Sequence, residues 1–391
     1  MAFIPISYNI RSLRVRRVTT AVTAFGIALV VWVLAVALML AAGIERAMQL
    51  SGSRDNAIIL RQAANAEISS NIDSAKVGQI LATAGVKRAP NGTPVGVGEV
   101  VIVIIAEKLG SNGRVTNVQL RGVPDNVQSL RSNLRIIQGR AARPGTNEVI
   151  LGKQIAGRYE GMSLGSTFEL KKNRPVQVVG VFEAGSSSYE SEVWADIDVV
   201  RAAFGRQALV SSITVKLDSA AHYEAFAQQI NSDKQLRLDV MRESEYFEAQ
   251  SEGTTLFLSV LGIAIAFFVS LGAIIGAMIT MYAAVANRKR EIGTLRALGF
   301  SRSVVLISFV IESCILALAG GLVGIVGALG MSFVKFSVLN FATWSEIVFT
   351  FHPTIGILLT SLIVGGLMGL VGGFLPALRA ARTPPLSAMR A

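Results

Sequence analysis

The sequence predicts an α+β integral membrane protein, with four transmembrane helices and a large mixed α/β extracytoplasmic domain between helices 1 and 2. Three observations carry that prediction. Hydrophobic residues make up 51% of the 391 positions, and the mean hydropathy of +0.52 lies on the apolar side of soluble composition. Four windows, 21–44, 256–286, 304–331 and 355–378, reach the roughly 20 apolar residues that a bilayer core demands. The stretch between the first two windows is polar and carries strand and helix patterns of a folded domain.

Charge placement orients the chain. Of the net charge of +11, residues 45–254 contribute almost nothing, with 24 basic and 23 acidic side chains. The excess sits in 1–20, in 287–302 and in 379–391. These segments alternate with the spans, and Lys/Arg-rich flanks mark the cytoplasmic side. Both termini and the 287–302 loop are therefore expected inside, and the large domain outside. Nucleic-acid arms would carry aromatic or base-reading companions. None stands beside these basic segments, so no nucleic acid is expected as a partner.

Residues 1–20 read as a cytoplasmic amphipathic segment: Ile6, Ile10 and Leu13 share a helical face, with Arg11, Arg14, Arg16 and Arg17 around them near anionic membrane lipid. The first span, 21–44, exceeds the apolar length of a signal peptide and is read as an anchor. Residues 45–254 form the extracytoplasmic domain. At one end, strand-like 57–60, a helical pattern over 72–84 closed by Gly85, and the apolar run 100–106 make a β-α-β unit. At the other end, alternation over 213–217, a helix over 220–230 and alternation over 236–240 make a second. Together they predict a subdomain split over about 53–116 and 201–242. An inserted β-rich subdomain is expected at about 117–200, where 168–171 and 176–182 read as a hairpin. Residues 243–254 read as a helical stalk into the second span, 255–286. A third span (303–331), an outer loop (332–352), a fourth span (353–378) and a cytoplasmic tail (379–391) complete the order.

Chemistry-bearing motifs are few. Gly152-Lys153 is followed by Gln154 and lacks the upstream glycine of a phosphate-binding loop. His222 and His352 have no ligand-spaced neighbours, and no Ser-His-acid set appears, so neither a metal nor a catalytic residue is assigned. The lone cysteine, Cys314, lies in a span. Glu312, also in a span, is costly there and calls for a hydrogen bond across a helix interface or a proton. Small-residue spacing at Gly272 and Gly276, at Gly320 and Gly324, and at Gly365, Gly369 and Gly373 permits close helix packing. The basic segment 287–302, with Ile292, Leu295 and Leu298 on one face, reads as an amphipathic helix at the membrane surface.

The run RKREIGTLRALG at 288–299, followed by Ile311-Glu312-Ser313, by Gly320-Gly321-Leu322-Val323-Gly324 and by PALRAAR at 376–382, resembles the signature of MacB/FtsX-type ABC transporter permeases, the type VII class. The likeness covers roughly the last third of the chain, and the tail residues Pro376, Arg379 and Arg382 fall in its C-terminal motif. Pro384 stands where that motif more often carries an acid. The resemblance implies a non-catalytic subunit in the bacterial inner membrane, paired with a separate ABC ATPase that carries ATP and Mg, and with a second permease chain as a homodimer. It implies that Arg290, Glu291, Ile292, Gly293, Leu295, Arg296 and Gly299 form a coupling helix for the ATPase. Motion would pass to the outer domain by mechanotransmission. The generic layout favours efflux with a periplasmic adaptor. Lipoprotein release and control of cell-wall hydrolases are the alternatives within the class, and a membrane sensor or scaffold without ATP coupling is the alternative outside it.

Overall fold

The computed structural model describes Pro5, Tyr8, Arg11, Leu13 and residues 15–111 and 113–382. Ile6, Ile10 and Arg14 of the N-terminal pattern, and the tail beyond 382, lie outside the described residues. In chain order the elements are helix α1 (Arg17–Gln49), strands β1 (Asn56–Arg61) and β2 (Ile72–Asp73), helix α2 (Ala75–Leu81), strands β3 (Gly96–Glu107) and β4 (Val115–Val123), the short helix α3 (Val127–Leu130), and strands β5 (Arg135–Gly139), β6 (Glu148–Gly152), β7 (Thr167–Lys171), β8 (Arg174–Glu183) and β9 (Glu192–Asp196). Helix α4 (Ile197–Phe204), strands β10 (Leu209–Val210) and β11 (Ser212–Lys216), helix α5 (Tyr223–Ser232) and strand β12 (Leu238–Arg242) follow. Helices α6 (Glu243–Asn287), α7 (Lys289–Ala297) and α8 (Arg302–Gly330), strands β13 (Lys335–Leu339) and β14 (Glu346–Thr350), and helix α9 (Ile355–Ala381) complete the chain. They fall into two compact units.

The α/β unit comprises Gly43–Thr255 and Lys335–Thr350. Its large sheet runs β12-β1-β11-β3-β4-β9-β6-β8-β5, with β7 on β8. β1 lies antiparallel between β11 and β12, and β11 is antiparallel to β3. Each β-α-β unit, β1-α2-β3 and β11-α5-β12, is thus split by a strand of the other, as in a ferredoxin-like arrangement. β3 joins this half to the rest: Gly96–Glu99 pair with β11, and Val100–Glu107 with β4. Its near-continuous apolar run reflects burial on both faces.

Two local expectations change. The helix expected over 72–84 spans only Ala75–Leu81, because Ile72 and Asp73 pair with Val210 and Leu209 instead. The 332–352 stretch, read as an outer loop, forms the β13–β14 hairpin. Val348 enters the α/β core, Ser191 both donates to and accepts from its backbone, and the Tyr159 hydroxyl donates to Glu346 at 2.6 Å. Alternation of Phe336 with Val338 and of Ile347 with Phe349 was the available signal.

The core of this unit also holds a charge cluster. The buried Arg121 guanidinium donates to Glu192 (2.7 Å), Glu99 (2.8 Å) and Glu67 (2.9 Å), and Arg131 reaches Glu99 at 2.7 Å while stacking 4.1 Å from the Tyr189 ring. Burial disfavours the Arg121 charge, but three carboxylates reverse that and hold its pKa well above the ordinary value.

The membrane unit contains most of α1, α6 from Leu256, α7, α8 and α9. Among the described residues, four helices are long and apolar enough to cross a membrane: Arg17–Gln49, Glu243–Asn287, α8 with its 3₁₀ extension to Phe333, and Ile355–Ala381. Glycine sets their approach. A β-carbon on Gly320 or Gly324 would come within 2.5 Å of the carbonyl oxygen of Ala24 or Ala28 in α1, one on Gly369 or Gly373 would collide with Ala317 or Ser313 of α8, and one on Gly365 would meet Val31 at 2.7 Å. Gly272 and Gly276 have nothing within 4 Å of that position. Among the described residues, nothing is therefore packed against the small-residue spacing of α6.

Replacing Arg121 by Met leaves buried Glu67 and Glu192 without their cation, Glu99 keeping Arg131, and is expected to cost the α/β unit roughly 3–5 kcal/mol at neutral pH. Because protonated carboxyls no longer need the cation, the loss should shrink as the pH falls. Urea unfolding of the detergent-solubilised chain, followed by tryptophan fluorescence at pH 7.5 and 5, measures both; a loss independent of pH would contradict the role of the cluster.

Candidate functional site

Residues 287–302 turn the chain back between two spans, and each part of the turn has a local cause. α6 stops at Asn287. Arg288 adopts φ −112° and ψ 20°, outside helical geometry, and α7 restarts at Lys289. The short helix ends at Ala297 because Gly299 takes φ +92°, a left-handed conformation that favours glycine. The Phe300 amide then donates to the Leu295 carbonyl and the Gly299 amide to that of Arg296, the paired bonds of a Schellman ending. Ser301 caps α8 through the Val304 amide.

Only part of the expected apolar face is used. Ile292 is buried among Met281, Val285, Val305, Phe309, Ala377 and Ala380. Leu295 is half-buried, and Leu298 is 72% exposed because it lies beyond the last helical residue. Gly293 is buried. Arg290, Glu291 and Gly299 are exposed, and Arg296 donates to the Phe300 carbonyl at 2.9 Å. The outward surface is thus a basic helix ending in an exposed leucine.

The segment is fastened by Arg288. Its Nη1 donates to Glu312 of α8 at 3.0 Å, with both side chains nearly inaccessible, and its Nε donates to Glu291 at 2.9 Å. The Tyr8 hydroxyl donates to the same Glu291 oxygen at 3.0 Å, and the guanidinium lies 4.9 Å from the Tyr8 ring and 5.3 Å from that of Phe309. Burial opposes the Arg288 charge, but hydrogen bonding to Glu291 and the field of Glu312 raise its pKa above the ordinary value. The bond from Arg288 chiefly lowers the pKa of Glu291. The intramembrane acid therefore has its partner, one that sequence reasoning placed on the helix surface. Glu312 was marked in the sequence as needing a hydrogen bond or a proton; that Arg288 supplies the bond was not legible there. At the tail, Pro376 is buried within α9, Arg379 is exposed 5.7 Å from the Tyr282 ring, and Arg382 caps the helix.

Residues 20–233 match the model of a MacB-like periplasmic core domain, and residues 263–385 that of an FtsX-like permease C-terminal domain. The chain belongs to the MacB/FtsX-like family of ABC transporter permeases. It is 27% identical over 294 residues to the uncharacterized ABC transporter permease YknZ of Bacillus subtilis, covering 70% of each chain. It is 27% identical over 316 residues to the macrolide export ATP-binding/permease protein MacB 2 of Aeromonas hydrophila, covering 77% of this chain but 44% of that one. Among solved structures, the extracellular domain of YknZ aligns with a TM-score of 0.36 and 19% identity, over 48% of this chain and 99% of that one.

Replacing Glu312 by Ala removes the bond from Arg288 to α8 and leaves it paired with Glu291 of its own segment. Faster hydrogen exchange by about tenfold or more is expected over 289–297, corresponding to at least about 1.4 kcal/mol of lost local stability. Unchanged protection would show that the pair does not fasten the segment. Because the Glu291 pKa is depressed, its share of the fastening is complete above the ordinary carboxylate range and is lost as the pH falls through the depressed value.

Proposed function

We propose that this chain is the non-catalytic permease subunit of an ATP-driven ABC exporter of the inner membrane that works by mechanotransmission. A separate P-loop ATPase, carrying ATP and Mg, binds the outward surface of α7 through Arg290, Leu295, Arg296, Leu298 and Gly299, while Glu291, Ile292 and Gly293 hold the helix to the bundle. The observation that carries the reading is the buried Arg288–Glu312 pair. It joins the basic segment directly to the third span, so a push on α7 is delivered to α8 instead of being absorbed by a slack loop. Within that reading, both termini and α7 face the cytoplasm and the α/β unit faces the other side. A second permease chain completes the dimer, and a periplasmic adaptor receives the motion. The spans favour transmission over conduction: an acid that is already ion-paired supplies no polar lining for a substrate.

Replacing exposed Leu298 by Asp, which leaves the Arg288 contacts intact, should weaken co-purification of the cognate ATPase by about tenfold or more. Glu291→Lys, or deletion of residues 290–299, should abolish it. Retention in all three variants would reject α7 as the docking element. Spin labels on the outer domains of the assembled dimer should change separation on ATP binding; an ATP-independent distance would favour a sensor or scaffold.

A further inference from the structure

A cleft of about 220 Å³ opens on the membrane unit beside this segment, bounded by Tyr8, Arg11, Val15, Arg16, Arg288 and Glu291. Three guanidinium groups line it, and two carboxylates, Glu291 and Glu312, hydrogen-bond to Arg288. Glu291 accepts from Arg288 and Tyr8, and Glu312 accepts from Arg288. Arg16 gives Nη2 to the backbone carbonyl of Ala284 at 3.1 Å. Its Nη1 is enclosed and has no hydrogen-bond partner among the described residues. An enclosed donor on a charged group is costly unless something accepts from it. Burial, followed by repulsion from Arg288, lowers the Arg16 pKa despite the attraction of Glu312 and Glu291, consistent with a cation short of counter-charge.

The position of the cleft narrows what fits. Arg16 immediately precedes α1, and Ala284 lies three residues before the end of α6, so the cleft sits where two apolar spans end. From its wall an apolar stripe runs into the first span. Val15, Val18, Val22 and Phe25 are 79%, 78%, 62% and 69% exposed, at helical spacings of three and four that place them on one face. An occupant that satisfies both features carries an anion with several acceptor oxygens and a hydrocarbon chain. A phosphate group meets the first requirement, because its oxygens accept charge-assisted bonds from more than one guanidinium. An acyl chain along the stripe meets the second.

We propose that this cleft is a binding site for a phosphate-bearing anion, and that its occupant is the headgroup of an anionic phospholipid held by Arg16 and Arg11, with its acyl chain on Val15, Val18, Val22 and Phe25. Bound there, the lipid brings counter-charge to Arg16 and Arg288. A zwitterionic choline headgroup brings its own cation into the same cleft and is disfavoured.

The test uses the full chain, delipidated in detergent without the ATPase, so that its failure leaves the coupling proposal standing. Native mass spectrometry should show phosphatidylglycerol bound at least about tenfold more tightly than phosphatidylcholine, a difference that one to two charge-assisted hydrogen bonds supply. Arg16→Gln should remove that preference. Arg11→Gln, at an exposed position where the fold is indifferent, should reduce it. Equal binding of the two lipids by the native chain, or a preference that survives Arg16→Gln, overturns the proposal. Displacement of phosphatidylglycerol by millimolar inorganic phosphate overturns the lipid assignment in favour of a free phosphate ligand.

Discussion

An acid buried in a membrane span must find a cation, a hydrogen-bond network or a proton. In this permease that constraint falls on Glu312, and the turn between the second and third spans is built to meet it. Arg288 occupies the break between α6 and α7 and pairs with Glu312 at 3.0 Å. The cost of leaving either charge alone, of order 3–5 kcal/mol for a buried pair that loses one member, keeps α7 from drifting away from α8. A surface helix of nine residues has little stability of its own. Here the pair, the buried Ile292 and the Schellman ending give it a fixed seat.

The α/β unit solves a related problem by different means. Its strands come from both ends of a long insertion, and the sheet closes only when β1 slots between β11 and β12. Arg121 sits where acids from three parts of the chain converge: Glu67 after β1, Glu99 in β3 and Glu192 in β9. A mispaired strand would leave one of these charges buried and alone. In both units, a buried arginine ties together elements that apolar packing alone would leave less well specified.

Much of the architecture was readable in the sequence because bilayer length and period-2 alternation are strong, local signals. The four apolar helices, the clustering of Arg at their flanks, and the first and last β-α-β patterns each follow from residues close together in the chain. What escaped was non-local. Arg121 gives no sign that Glu67, Glu99 and Glu192 meet it. The face of Ile292, Leu295 and Leu298 was over-read because the periodicity runs on to Leu298, one residue past the last helical residue, Ala297. Gly272 and Gly276 carry a packing motif with nothing against it among the described residues, which only the arrangement of the helices could reveal. At the candidate site, Glu312 was marked by its cost, but Arg288 could be named as its partner only once the path of the turn was known.

The central claim is that the Arg288–Glu312 pair links ATPase docking to the third span. A double-mutant cycle measures it most directly: ATPase activity of the permease–ATPase complex reconstituted in vesicles, with Arg288→Ala, Glu312→Ala and both together. If the pair transmits the motion, each single change should impair activity, and the double variant should be no worse than either single one, a coupling energy above about 1 kcal/mol. Additive losses, with no coupling between the two positions, would contradict the account.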